Sequence, residues 1–461
     1  MKKTKIGTIC SLELRKISCT LRALIIAQVF LLVIGAQAWG DHDHERKVNC
    51  NKGETITHAL KECDGKPITI EVKGTCNENV TIDRDDVTLI AHPSGGTVNG
   101  IDQNTATIVI MGDRAVIDGL TVTGVGGGFR VEGNYNMIRN CIVQNVVRNG
   151  IGFPGGNGTV DNCTIQNSGR NGIMISDGGR AMVTNSTISS NNNHGITFYK
   201  GGLGTVDQCT VQNNAGHGIL IEAASATVIN STISSNTRCG IMVGRGGNAK
   251  IGITDDFKYA GNTISSNQGN GITLYIGGSA YIGGNTIDGN GTNPNSAYGR
   301  FGVGITSSNA VLMGNNRITR SGGVGVYTEG SSVVIGNPDS GLPTTGDFAN
   351  VISGNANGII GNLGASLWIR DAIINGNTGN GVTLNLRSTA RMSGNTVNGN
   401  TSNGILLSRG GGLVLQDPAV TVTGNTSFGL QCTDNESSFD GNISGISGNA
   451  EGDVSPSCTG F

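Results

Sequence analysis

The chain has 461 residues, of which 76 are glycine, while only 4% are aromatic and 14% are charged. Low charge and frequent Val and Ile exclude a disordered chain, and glycine without a three-residue period excludes a collagen-like one. The low aromatic content favours many thin, similar layers over one large core.

The N-terminus has the features of an export signal. A basic region from Lys2 to Arg22 is followed by an apolar run from Ala23 to Gly35, and Ala36-Gln37-Ala38 fits a small-x-small cleavage pattern. The run is short for a membrane span, which needs about 20 apolar residues. We therefore expect cleavage after Ala38 and a secreted or periplasmic protein without a membrane span, although an uncleaved anchor is the alternative.

The predicted mature chain is acidic. Six of the 31 basic residues and one of the 33 acidic residues lie in the export segment, so 25 basic and 32 acidic residues remain, a formal charge of −7. This balance argues against a nucleic-acid partner.

A repeat organises the rest of the chain. "NSTISSNNNHGITF" at Asn185 returns as "NSTISSNTRCGIMV" at Asn230, and each copy has one apolar anchor position. The anchors are 22 to 34 residues apart, a spacing that indicates a repeat architecture. They are Val143, Ile165, Ile188, Val211, Ile233, Ile264, Ile287, Ile318, Ile352, Ile374, Val397, Val422 and Ile446.

Each period predicts three short strands. After the anchor comes a Gly-Ile unit such as "GITFY", in which Ile196 and Phe198 alternate with polar residues, and then a third apolar segment ending at Val206. Three strands in one chain direction cannot form hairpins, but they can coil and pair in parallel between coils. The pattern resembles the right-handed parallel β-helix superfamily with its pectate-lyase-like members, over roughly Pro67 to Ile446. Right-handedness is implied by that resemblance.

Two further patterns indicate how the coils stack and end. An Asn stands three residues after most anchors, as Asn191 does, and we expect these amides to bond from coil to coil. Inward cysteines such as Cys141 are interpreted as small core residues. An amphipathic helix with Ile56 and Leu60 on its apolar face is expected to cap the first coil. The expected division is a signal peptide at 1–38, an N-terminal segment with the capping helix at 39–66, β-helix repeats at 67–449 and a C-terminal tail at 450–461.

Nine cysteines remain after signal cleavage, and an odd number cannot all pair. We expect Cys432 to pair with Cys458, and two of Cys50, Cys63 and Cys76 to pair with each other. The alternative is that all are reduced, if the compartment is not oxidising.

A search for chemistry identifies no reaction. Gly216-His217-Gly218 resembles a fragment of the polygalacturonase pattern, but that family's other elements do not stand in the required order. His217 shares its repeat position with His194, which favours a structural role. His42 and His44 are interpreted as a polar terminus, so no metal site and no cofactor are expected.

Inserted loops give the best functional prediction. The loop Gly252–Ala260 and the loop Gly336–Ala349 leave one edge of the coil, and the loop Gly291–Arg300 leaves a different edge. Together they are predicted to wall a ligand site whose residues are Asp255, Asp256, Tyr259, Tyr298, Arg300 and Asp347.

Two function classes stay open. The first is an exported scaffold that binds polysaccharide or cell-surface glycans, and the second is a carbohydrate-active lyase, hydrolase or epimerase. The absence of catalytic motifs favours the first. Negative charge and the lack of an evident basic groove weigh against an acidic polysaccharide as ligand.

Overall fold

The computed structural model describes residues 44–62, 67–336 and 349–458, and residues Glu45–Phe461 group as one compact unit. Short strands coil through this unit, and each strand pairs in parallel with its counterpart in the next coil. The predicted parallel β-helix is confirmed.

The strands form three ladders along the coil axis. We number the ladders in chain order, beginning with the one that contains the anchors. The first and third ladders join through two long strands to form a 31-stranded sheet, and the second ladder is a separate 16-stranded sheet.

The first ladder contains the anchors. It runs from the later halves of Ile68–Asn77 and Val87–Gly100 through Thr121–Gly124, Ile142–Val146, Thr164–Gln166, Thr187–Ser189, Thr210–Gln212, Thr232–Ser234, Thr263–Ser265, Thr286–Asp288, Arg317–Thr319, Val351–Ser353, Ile373–Asn375, Thr396–Asn398, Thr421–Thr423 and Ile446–Ser447.

The second ladder contains the Gly-Ile units. Its strands are Val80–Ile82, Ala106–Ile110, Gly127–Val131, Ile151–Pro154, Ile173–Ser176, Ile196–Tyr199, Ile219–Glu222, Ile241–Gly244, Ile272–Tyr275, Val303–Thr306, Val324–Glu329, Asn357–Asn362, Val382–Asn385, Ile405–Ser408, Phe428–Cys432 and Gly452–Val454.

The third ladder closes each coil. It comprises His44–Asn49, the earlier halves of the two long strands, Val116–Asp118, Asn136–Arg139, Asn157–Asp161, Arg180–Thr184, Leu203–Asp207, Ser225–Ile229, Asn248–Ile251, Ser279–Ile282, Asn309–Leu312, Ser332–Ile335, Ser366–Arg370, Thr389–Ser393, Gly412–Gln416 and Ser438–Gly441.

The core is a column of stacked aliphatic side chains. Ile165, Ile188 and Val211 lie in register on consecutive first-ladder strands, and all three are fully buried. Burial of one such side chain stabilises the fold by about 1.5–3 kcal/mol. Because no single coil can cover its own apolar face, each repeat stabilises the next.

The predicted asparagine ladder is confirmed. The Asn191 side-chain amide donates to Asn214 Oδ1 at 2.9 Å, Asn214 donates to Asn236 at 3.0 Å, and Asn236 donates to Asn267 at 3.0 Å. The backbone N–H of Asn214 also donates to Asn236 Oδ1. These bonds satisfy polar groups that would otherwise be buried without partners.

A second buried asparagine ladder, which the sequence analysis missed, lies two residues before the anchors. Asn262 donates to Asn285, Asn285 to Asn316, and Asn316 to Asn350, at 2.9–3.1 Å between Nδ2 and Oδ1. Nearer the N-terminus the same position holds small buried residues such as Cys141, whose thiol is free.

Short helices lie at the N-terminal end of the column, and a disulfide lies near each end. A single-turn 3₁₀ helix spans Cys50–Lys52, and the helix Ile56–Lys61 buries Ile56, Ala59 and Leu60. Disulfides join Cys50 to Cys76 and Cys432 to Cys458. Cys63 lies outside the described residues, as do the proposed cleavage site and His42.

Candidate functional site

A groove of about 1080 Å³ lies along the outer face of the third ladder. It crosses seven strands, from Asn136–Arg139 to Ser279–Ile282. Six strand spacings of about 4.8 Å make it about 29 Å long. Such an open, extended shape suits a chain-like ligand.

A row of outward side chains forms the floor of the groove. Thr159, Met182, Thr205, Thr227 and Lys250 follow one another in register on consecutive strands. Threonine hydroxyls can both donate and accept hydrogen bonds. The floor therefore offers polar contacts at regular intervals.

The neighbouring inward positions are small because the core beneath them is full. A Cβ atom at Gly204 would lie 2.0 Å from the Ala181 carbonyl oxygen and 2.9 Å from the Phe198 ring. Phe198 itself is fully buried. The close packing holds the floor as a rigid surface.

Aromatic side chains stand at the two ends of the groove. Tyr135 is 75% exposed at one end, and Tyr281 is 41% exposed at the other. Their rings present large apolar surface together with a hydroxyl. Exposed rings at both ends, with Met182 between them, give the groove its apolar contacts.

A hairpin formed by the predicted loop Gly252–Ala260 closes the Tyr281 end. An antiparallel bridge joins Ile253 to Tyr259, and the Ala260 N–H donates to the Gly252 carbonyl at 2.9 Å. Phe257 packs edge-on against Tyr281 with ring centroids 5.6 Å apart. The insertion thus builds a wall on an otherwise regular face.

The predicted carboxylates of this hairpin have different surroundings. Asp255 lines the groove and pairs with Lys250 at 2.8 Å. Asp256 instead contacts Lys258 and Thr254 within the hairpin, and hydrogen bonds from these two groups lower its pKa to about 2. Of the two carboxylates, Asp255 is therefore the one that lines the groove.

Tyr259 positions the hairpin. Its phenol oxygen accepts a hydrogen bond from the Gly314 N–H at 3.0 Å, which ties the hairpin to the coil surface. Its side chain is absent from the lining of the groove.

The remaining predicted site residues lie elsewhere. Tyr298 lines a separate cavity on the second ladder. Arg300 closes its own loop, because its Nε donates to the Gly291 carbonyl at 3.1 Å. Asp347 lies outside the described residues. The five described residues fall into two separate groups, since the hairpin precedes a first-ladder strand whereas the Tyr298 loop follows one.

Most of the groove is not evident from the sequence. Tyr281, Lys250 and Met182 come from three different coils, and only their offsets before the anchors could have revealed a shared row. The offset is six residues for Met182 and Tyr281, but the inserted hairpin increases it to fourteen for Lys250.

One polar cluster near the N-terminus has a structural explanation. Ligand atoms of Cys50, Cys76 and Glu78 lie within 4.8 Å of one another. The two cysteines form a disulfide, and Glu78 accepts the N–H groups of Ile56 and Thr57 at the start of the helix. These contacts account for the cluster.

Comparison with known families identifies the architecture. The family described as "Right handed beta helix region" matches residues 106–252 and 217–337, which together cover half of the chain. The protein belongs to this family of right-handed parallel β-helices. No curated protein sequence matches.

Several solved structures are similar in fold. Pectate lyase Pel9A is 16% identical over 70% of this chain and 77% of its own, with a TM-score of 0.35. An alginate lyase from Paenibacillus is 12% identical over 70% of this chain and 98% of its own, with a TM-score of 0.30. The catalytic unit of an α-1,3-glucanase from Streptomyces thermodiastaticus is 14% identical over 88% of this chain and 70% of its own, with a TM-score of 0.39.

In the described part of the chain, no helix has both the length and the apolar character needed to cross a membrane.

Proposed function

We propose that the protein is an exported scaffold that binds an extended polysaccharide along the third-ladder groove. The observation that carries the proposal is the groove's combination of length, hydroxyl-bearing floor and aromatic ends. Sugar rings have apolar faces that pack on aromatic side chains and hydroxyl groups that bond to polar ones. Export rests on the N-terminal sequence alone.

The lining of the groove supports polysaccharide binding better than polysaccharide hydrolysis. Glycoside hydrolysis ordinarily uses two carboxyl groups about 5–9.5 Å apart. Among the described residues that line the groove, Asp255 is the one carboxylate, and Lys250 already neutralises it. The described lining of the groove thus supplies no second carboxyl group to pair with Asp255.

The test is binding to polysaccharides by affinity electrophoresis and titration calorimetry, with laminarin, xylan and pectate as probes. We expect Tyr281→Ala to weaken binding about tenfold or more, equivalent to about 1.4 kcal/mol. The matched control is Trp368→Ala, because Trp368 occupies the same outward row three strands beyond Tyr281 and lies outside the groove. Equal losses in both variants, or none in either, would refute the assignment.

Product analysis separates the two function classes. Incubation of each polysaccharide with the protein, followed by assays for new reducing ends and for unsaturated uronates, should give no product. Release of oligosaccharides that Asp255→Asn abolishes would instead establish the enzyme alternative.

A further inference from the structure

A second cavity, of about 720 Å³, lies on the second ladder. It spans the strands from Ile219–Glu222 to Val324–Glu329, and its lining shares no residue with that of the third-ladder groove. The loop Gly291–Arg300 covers one side of it with Tyr298. The cavity is therefore a separate candidate site, independent of the function proposed for the groove.

Large apolar side chains form its floor although they point away from the core. Leu220 and Met242 alternate with the inward residues of their strands, yet they are only 9% and 8% exposed. The third member of this row is Thr273, and the fourth is Gly304. A Cβ atom at Gly304 would lie 3.0 Å from the Phe301 ring, so glycine leaves room for that ring.

Two stacked histidines form one wall. The rings of His194 and His217 lie 5.1 Å apart. Nδ1 of His194 accepts the His217 N–H at 2.9 Å, and Nδ1 of His217 accepts the Cys239 N–H at 3.2 Å. This fixes the tautomer of a neutral ring, with the proton on Nε2. Each histidine is thus a hydrogen-bond donor on the wall of the cavity.

Tyr298 and Arg238 extend the same wall. The Tyr298 ring packs edge-on against His217 at 4.9 Å, and the Arg238 guanidinium lies 5.6 Å from the Tyr298 centroid. No ion pair neutralises Arg238 among the described residues. The wall therefore combines one available cation with neutral N–H donors.

The opposite wall carries acceptors that are already partnered. Glu222 lies 3.7 Å from Arg245, and the Tyr327 hydroxyl donates to Glu329 at 2.6 Å. The two carboxylates stand four strand spacings apart, about 19 Å, so they cannot act together as acid and base. They can accept hydrogen bonds from ligand hydroxyls.

Arg238 belongs to a turn position that also holds arginine on two earlier coils. Arg148 and Arg170 stack on adjacent coils, where the Arg170 N–H donates to the Arg148 carbonyl, and Arg238 occupies the same turn position three coils later. These arginines are 22 and 68 residues apart in the chain, so sequence order did not show them as one edge.

We propose that this cavity is a second ligand site, which binds a hydroxylated ring compound carrying one anionic group. The anion lies at Arg238, where a guanidinium can bind a carboxylate or a phosphate through two hydrogen bonds. The ring packs against Tyr298 and the Leu220–Met242 floor. Hydroxyl groups of the ligand face Glu222.

The experiment titrates the full protein with three probes: glucose, glucuronate and glucose 6-phosphate. Calorimetry and ligand-observed NMR report affinity. We expect at least one anionic probe to bind at least tenfold more tightly than glucose, and the better of the two shows whether a carboxylate or a phosphate is preferred. Equal affinity for all three probes, or binding of none, overturns the proposal.

Variants locate the site. Arg238→Gln should remove the tenfold preference, and Tyr298→Ala should weaken the binding of all three probes. Arg170→Gln is the matched control, because Arg170 has the same turn position but lies outside the cavity. This variant should prefer the anionic probe over glucose as strongly as the wild type does. If Arg170→Gln removes the preference for the anionic probe as fully as Arg238→Gln does, arginines at this turn position hold the anion in general, and the proposed site is refuted. Circular dichroism confirms that each variant is folded.

Discussion

The buried histidine pair should make the stability of the β-helix depend on pH. Burial, with a smaller contribution from Arg238, lowers the pKa of His194 from 6.5 to about 4. Burial, the His194 ring and Arg238 hold the pKa of His217 well below its usual value. Both rings are therefore neutral in the folded protein at neutral pH.

The sign and size of the effect follow from these shifts. Between pH 6.5 and about 4 an unfolded His194 binds a proton that the folded ring does not, so the free energy of unfolding falls as the pH falls. Stability from this source is complete above pH 6.5. Its loss reaches roughly 3 kcal/mol near pH 4, at 1.36 kcal/mol for each unit of pKa difference. His217 adds a loss of the same sign.

Asparagine is the matched replacement, because neighbouring coils already carry it at this position. Asn171 Oδ1 accepts the His194 N–H at 3.2 Å, just as the imidazole Nδ1 accepts the next N–H. Urea unfolding of the wild type and of the His194→Asn, His217→Asn double variant should give similar stability at pH 7. At pH 4.5, well inside the titration range, the variant should be more stable than the wild type by at least about 2–3 kcal/mol, because His194 alone accounts for that much and His217 adds to it. The same loss of stability on acidification in both proteins would refute the reasoning.

Three further outcomes are expected. Ile188→Asp should destabilise the protein by several kcal/mol in thermal or urea unfolding, since it buries an unpaired carboxylate. Ile142→Asp, on the exposed side of its strand, should cost little. Equal melting temperatures for the two variants would disprove the stacking register. Asn214→Ala should lower the free energy of unfolding by about 1–3 kcal/mol, because the Asn191 N–H and the Ile188 carbonyl lose their hydrogen bonds to the Asn214 side chain. An unchanged urea midpoint would contradict this. N-terminal sequencing of exported protein should begin at Trp39; an intact Met1 would show that the signal is retained.

The repeating part of the fold could be predicted because the strand and turn pattern of each repeat agrees with the way the coils stack. Ile188 and its counterparts mark an inward row, and Asn191 marks a turn that repeats at a fixed distance from that row. Parallel in-register pairing then follows from identical coils stacked on one another. The second asparagine ladder escaped prediction because its position holds Cys or Ser in the first coils and Asn only from Asn262 onward.

The sites could not be predicted in the same way, because their residues are brought together by loops that break the period. Tyr298 and His217 are 81 positions apart in the sequence, and their contact depends on the fold of an insertion that no repeat rule describes. His217 was correctly placed in a structural row, since its Nδ1 accepts a backbone N–H. That role does not exclude the other edge of the same ring from a ligand site. In a stacked fold a residue can bond to the next coil through one atom and line a cavity through another, as His217 does, so a position that follows the repeat can serve both.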